Sequence, residues 1–492
     1  VRLNGTYRSG DTAIRNNSQE LASLMLSLDY RSRRFRASAD LGFQKQVMDG
    51  TPRFLGLASG VGVPKPPRAT SNWAQPWTTQ NADNRFMALH AEYNLTKNRI
   101  LSAAAGLKKE SDLSTWPSST LTSDDGTIRD LMFVDKLTEN VNTENVRLQG
   151  KFRTWVVKHD FSFDLQRYFN TRYTSYPYTI MSNNIYHPEY VAKPTLENEG
   201  RPKSSNENLS SLAFGDTMSF FRDKVEVFAG GRWQHVEAHA FSATTGATTS
   251  HYSKTAVTPA VGITIKPWKN TAIYGNYIPG LQEGTIVGSG YTNSGEVFSP
   301  YKSTQLEIGI KHDFGKVILT SDYFQISQPS SYADANTNTY VQSGLQRNRG
   351  FEINAAGKLL SNLRAVGGVM WINGILSRTA GGAYNGNQAV GVPHLQLNAS
   401  LEGDMPYVKG LTLTGRSVYT SSQYYDQANT QKIPSWVRFD IGARYKTKIS
   451  GKYITFRGDI HNIGGLNYWS SAMSGLTLGA PRTFLFSATA DF

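Results

Sequence analysis

The 492-residue sequence contains no cysteine, so no disulfide framework and no thiolate metal site are available to it. That absence suits a reducing compartment and equally a bacterial surface protein that relies on no disulfide. No stretch approaches the roughly 18 consecutive apolar residues of a transmembrane helix. Helical periodicity is nearly missing as well, which leaves a chain built from strands. The basic excess, 51 Lys and Arg against 38 Asp and Glu, is scattered and forms no stripe, so nucleic acid is not an expected partner. Nothing orders Ser, His and Asp into a triad, and no Gly-rich loop leads into a helix as a phosphate cradle would. The chain is not expected to be an enzyme.

What is present is alternation. In "LASLMLSLDYRSRRFRASADLGFQKQ", Ala22, Leu24, Leu26, Leu28 and Tyr30 share one face of a strand. After a turn around Arg31 to Arg33, Phe35, Ala37, Ala39, Leu41 and Phe43 share one face of the next. "WVRFDIGARYKTK" separates Val437, Phe439, Ile441, Ala443 and Tyr445 from Arg438, Asp440, Arg444 and Lys446 in the same way. The closing stretch Arg482 to Phe492 sets Phe484, Phe486, Ala488, Ala490 and Phe492 on one side. Low mean hydropathy beside 12% aromatic residues fits strands that meet lipid on one face and water on the other.

A soluble sandwich also alternates, but connection lengths discriminate. Short turns are expected near Tyr30 to Arg33, Thr96 to Asn98, Trp155 to Lys158, Arg222 to Lys224, Pro267 to Asn270, Asp313 to Lys316, Leu360 to Leu363 and Lys448 to Lys452. Between them lie long segments: Met48 to Thr79, Lys109 to Asn140, Asn170 to Ser205, Pro279 to Ser299, Arg378 to Gly391, Ser421 to Ser435 and Asn462 to Ala480. Strict alternation of short and long predicts an all-β, antiparallel, up-and-down transmembrane barrel of about twenty strands. Short turns would face the periplasm and long loops the exterior.

The ordered segments "YKSTQLEIGIKHDF", "QRNRGFEINAAGKL", "GLTLTGRSVYTSSQYYD", "PSWVRFDIGARYKTK", "GDIHNIGGLNYW" and "LTLGAPRTFLFSATADF" resemble the C-terminal part of a TonB-dependent siderophore receptor. "VRLNGTYRSGDTAI" and "LDYRSRRFRASADLGFQ" resemble that family's early barrel strands. The resemblance implies a barrel of about 22 strands filled by a plug, in the bacterial outer membrane. It also implies uptake of a ferric siderophore with energy from TonB. No segment matches a plug or a TonB box, so residues 1–492 are expected to be the barrel domain alone, from a chain whose start is missing. By the same resemblance the terminal Phe492 is part of the signal read by the outer-membrane assembly machinery. The implied partners are a ferric siderophore, TonB, outer-membrane lipid and lipopolysaccharide, with a monomeric receptor. No covalently bound cofactor is expected, and iron enters only as cargo. Import of haem, cobalamin or an oligosaccharide, or a passive pore, are the alternatives.

Ligand capture would fall to loop aromatics, which bind large ligands with little loss of entropy. The candidates are Trp73, Trp77, Trp116, Tyr173, Tyr176, Tyr178, Tyr291, Tyr332 and Tyr424, with Trp116 and the Tyr173 to Tyr178 cluster preferred. Some of these could instead belong to an interfacial girdle. "HVEAH" places His235, Glu237 and His239 on one strand face, about 7 Å apart along the strand, and reads as wall residues solvated by lumen water with no metal site. "SDDGT", Ser123 to Thr127, reads as a turn inside a loop hairpin.

Overall fold

Hydrogen bonding runs strand to strand along nearly the whole chain in the computed structural model, which describes residues 1–51, 54–195, 200–334, 336–473 and 475–491. Among the described residues, twenty long antiparallel strands make one continuous wall. They are β1 (Arg2–Asp11), β2 (Ser18–Arg31), β3 (Phe35–Asp49), β4 (Thr79–Thr96), β5 (Arg99–Leu121), β6 (Thr127–Thr154) and β7 (Val157–Ser175). Next come β8 (Lys203–Phe220), β9 (Val225–Phe241), β10 (Thr248–Ile265), β11 (Thr271–Gln282), β12 (Tyr301–Asp313), β13 (Val317–Asp334) and β14 (Thr339–Leu360). The wall ends with β15 (Leu363–Arg378), β16 (Leu395–Asp404), β17 (Leu411–Thr420), β18 (Trp436–Ile449), β19 (Lys452–His461) and β20 (Thr483–Ala490). Each pairs with the next in sequence, the meander expected of an up-and-down barrel. Among the described residues β1 pairs only with β2, and β20 only with β19. The two edge strands approach each other where Arg8 to Gln19 and Ala480 to Leu485 line a common cavity.

Register assigns the faces. Leu24 lies opposite Phe43 and Leu26 opposite Leu41, and Leu24 and Leu41 are among the exposed apolar side chains. Val437, Phe439, Ile441 and Tyr445 form an outward row on β18, continued by Phe484 and Phe486 on β20. This exposed apolar band, with Tyr30 toward its lower edge and Trp233 and Trp371 toward its upper one, is a lipid-facing surface. The alternate residues point inward and pair by charge. Arg147 Nε meets Asp164 Oδ2 at 2.5 Å, and Arg364 grips Asp404 through two nitrogens, each at 2.8 Å. Such pairs are at home in a watery lumen and would be costly against lipid. No helix among the described residues is long and apolar enough to cross a membrane, which is silent on strands.

All the expected short turns occur at one end, joined by a further one at residues 405–410. Ser450 (φ 50°) and Gly451 (φ 80°) illustrate their chemistry, because a type I′ hairpin turn, which matches the right-handed strand twist, needs positive φ at both positions. The other end departs from expectation in two ways. Lys109 to Asn140 is no loose loop: β5 and β6 stay paired from Arg99–Gly150 up to Leu121–Ile128, a projecting hairpin closed only at residues 122–126. Continued alternation and a ladder without register shifts carry it. Secondly, the outer connections at residues 12–17 and 242–247 are short, so short and long do not alternate strictly.

Candidate functional site

The long connections fold onto one another above the mouth of the wall. Leu55, Val61, Trp73, Leu121, Ile128, Ile185, Ile433, Trp469, Ala472 and Leu476 form one buried apolar cluster, drawn from residues 50–78, the β5–β6 hairpin tip and residues 176–202, 421–435 and 462–482. Polar bonds lock the same segments together. Trp469 Nε1 donates to the Pro64 carbonyl (2.8 Å), Gln431 Nε2 to Val61 O (3.1 Å), and Asn183 Nδ2 to Trp73 O (2.9 Å). Leu55 and Leu476 exchange two backbone bonds of 3.0 and 2.8 Å. Tyr186 donates its hydroxyl to Lys65 O at 2.8 Å, and burial raises that phenol's pKa, keeping it a donor. Gly391 adds a close approach: with φ at 70°, a Cβ there would lie 2.5 Å from Met473 Cα. These loops therefore form a cap with its own core over part of the rim.

The hairpin turns one of its two faces into this cap. Leu121, Ile128 and Met132 are fully buried there, together with Asp130 at 1% exposure. Asp130 stands above the lipid belt, near the hairpin tip, and burial pushes its carboxyl up to about 6, with Ser119 opposite it countering the shift only in part. At the tip, the Thr127 backbone N–H donates to Asp125 (2.9 Å) and holds that carboxylate below its ordinary pKa. "SDDGT" is thus a plain turn, as its sequence suggests.

The other face carries aromatics. Trp116 of β5 stacks on Phe133 of β6, centroids 5.0 Å apart at 30°, and Phe133 meets Tyr178 of the short strand Tyr178–Asn184 at 5.6 Å. Register makes this one cross-strand row, Trp116–Phe133–Tyr178. Lower down the same ladder this face carries Glu110 and Glu139, then Arg147 bonded to Asp164 in the lumen. Tyr178 is 58% exposed. Phe133 was not among the expected site residues. Its signal in the sequence was its place on the strand facing Trp116, legible only once the hairpin register is known.

The remaining candidates disperse. Trp73 is 1% exposed, inside the cap core rather than at a ligand surface. Trp77 donates its indole N–H to Val191 O (2.7 Å), tying two loops together. Tyr173 lies on β7 opposite Thr138 and Lys203, on the parity opposite to the aromatic row. Tyr176 is exposed beside Pro177. Tyr291 sits with Tyr340 at 5.2 Å and Phe298 follows at 6.3 Å, a second aromatic group over β14. The Tyr332 hydroxyl accepts from Ser343 (2.9 Å), and Tyr424 lies under Lys432 at 6.0 Å. Phe492 lies outside the described residues. "HVEAH" is corrected: His235, Glu237 and His239 share the parity of Trp233 and, across the ladder, of Val257, Val261 and Ile263, so they face outward and not into the lumen.

Comparison with known proteins agrees with this architecture. Residues 8–463 match the family model described as TonB dependent receptor-like, beta-barrel. The ferrichrome receptor of Yersinia enterocolitica is 31% identical over 100% of this chain and 67% of its own length. The ferrichrome outer membrane transporter/phage receptor of Escherichia coli is 25% identical over 73% of this chain and 49% of its own. Among solved structures, the ferric preacinetobactin receptor of Acinetobacter baumannii superposes with a TM-score of 0.93 at 32% identity, covering 100% of this chain and 75% of that one. The chain thus spans between half and two thirds of these two curated relatives.

Proposed function

The chain belongs to the TonB-dependent receptor-like β-barrel family of the outer membrane, and from that premise we propose that it captures a ferric siderophore at its extracellular mouth for TonB-energised import. A ferric chelate is too large and too scarce for passive pores, so it must be concentrated by binding. The outer membrane holds neither ATP nor an ion gradient of its own, so inward release needs work delivered through TonB. Such a receptor carries iron as cargo and performs no catalysis. Its further partners on this reading are outer-membrane lipid and lipopolysaccharide around the apolar belt, with assembly machinery reading Phe492. It would act as a monomer.

The observation that carries the reading is the Trp116–Phe133–Tyr178 row, an aromatic surface at the extracellular end of the wall, on the parity that lines the lumen lower down. Flat, rigid aromatic surface suits the organic shell of a chelate. The similarity to receptors named for ferrichrome and ferric preacinetobactin supports the class of cargo.

The test is iron-limited growth of an outer-membrane receptor-deficient host expressing the protein, supplied with single purified ferric siderophores. Direct binding to the detergent-solubilised protein is measured in parallel. At least one chelate should restore growth only with TonB intact. Binding or growth on haem, cobalamin or an oligosaccharide with none on any siderophore overturns the reading, as does uptake that persists without TonB.

A further inference from the structure

The outward "HVEAH" face acquires a third group that its own strand does not supply. His239 of β9 pairs directly with His251 of β10 across the hairpin closed at residues 242–247. The two imidazoles lie parallel, with centroids 4.3 Å apart and planes at 13°. Both reach one carboxylate oxygen: Glu237 Oε1 is 3.3 Å from His239 Nε2 and 3.7 Å from His251 Nε2. One ligand atom from each of the three residues falls within 4.8 Å of the other two. Asn208 Nδ2 of the neighbouring strand holds the second carboxylate oxygen, Oε2, at 3.5 Å.

These distances bear on a metal ion. Bonds of about 2.0–2.1 Å in a tetrahedron place ligand atoms about 3.3 Å apart. The two measured separations from Oε1 are already near that value, so small side-chain rotations suffice to admit an ion. Two neutral imidazoles and a carboxylate suit borderline divalent cations better than calcium or magnesium, which prefer all-oxygen cages. Asn208 supplies the kind of outer hydrogen bond that orients a ligating carboxylate. Side-chain exposures of 28% for His239, 33% for Glu237 and 51% for His251 leave a coordination position open to solvent.

We propose that Glu237, His239 and His251 form a binding site for a divalent transition cation of the zinc class on the outward face of the wall, above the lipid belt. Its height follows from the strand. Trp233 ends the apolar row on β9, and His239 lies six residues further up, about 20 Å along a strand. Tilted by about 45°, that is roughly 14 Å above the apolar edge, beyond a headgroup layer of about 5–7 Å and in water. The site faces outward, away from the lumen, and needs no cargo there.

The experiment is calorimetric titration of tag-free, chelator-treated protein in detergent with Zn²⁺, complemented by electron paramagnetic resonance with Cu²⁺. One ion per chain is expected, with a Cu²⁺ spectrum coupled to two nitrogens. His239→Ala and His251→Ala should each weaken binding by more than about tenfold, and Asn208→Ala by about tenfold. His235→Ala, one pair lower on the same face and bonded to Thr255, should leave it unchanged. Each variant is first shown to be folded by its heat-modifiable mobility in gels, and Glu237→Gln serves in place of any that is not. Absence of a stoichiometric site, or equal loss in His235→Ala and His251→Ala, overturns the proposal.

Discussion

Trp469 Nε1 reaches the Pro64 carbonyl at 2.8 Å, joining loops 405 residues apart in sequence. The indole is 2% exposed, so one side chain supplies both a bond and a large part of the cap's apolar core. Trp469→Ala should destabilise the cap by about 3–5 kcal/mol, the range for emptying a buried aromatic site. Trp469→Phe, which loses the donor and part of the volume, should cost less. Hydrogen exchange would rise in residues 55–78 and 462–482 in both variants. Unchanged protection there in Trp469→Ala would show that the loops are held by something else.

Gly391 tests the same cap from backbone geometry. Its N–H donates to Tyr424 O at 2.9 Å, and its φ of 70° disfavours any side chain. A methyl group would collide with the Met473 backbone. Gly391→Ala should therefore cost about 1–3 kcal/mol and expose residues 421–435 and 462–473 to limited proteolysis. The wall itself should keep its heat-modifiable mobility.

Asp130 makes cap stability depend on pH. Its folded pKa of about 6 lies above the ordinary carboxylate value of 3.8. Below pH about 4 the proton is bound in both folded and unfolded states, and nothing is lost. As pH rises from about 4 to 6, the unfolded state releases the proton while the folded state retains it, so stability falls. Above about 6 the full penalty of roughly 3 kcal/mol remains. Asp130→Asn should flatten this slope in hydrogen-exchange protection of the hairpin tip measured from pH 4 to 7. A slope that survives the substitution would assign it to another group.

Within the aromatic row, Tyr178→Ala and Phe133→Ala should each weaken ferric siderophore binding by roughly tenfold, about 1.4 kcal/mol. Tyr173→Ala, on the opposite parity of β7, should change affinity by less than about twofold. Fluorescence-quenching titrations measure both. The reverse ranking would move the ligand to the outer side of the hairpin.

Much of the wall is legible without coordinates. Period two is a property of neighbouring residues, so "WVRFDIGARYKTK" declares its lipid and lumen faces by itself, and the structure assigns those faces to the same residues. Short turns declare themselves through residues that accept positive φ, such as Ser450–Gly451. The β5–β6 hairpin reads as loop in the sequence because Ser, Thr, Asp and Gly dominate residues 114–127, although its ladder continues unbroken.

What the sequence by itself determined is the local alternation, and with it an all-β wall with lipid outside and charge within. The tertiary structure decided everything that depends on which strands and loops become neighbours. Trp73 entered the cap core and left the list of exposed aromatics, because apolar loop residues gain more by burying one another than by facing water. Phe133 joined Trp116 and Tyr178, and His251 joined Glu237 and His239, across ladders whose register is set by turn geometry and face matching over many residues. A strand reveals which way its side chains point, but their partners depend on the strand beside it.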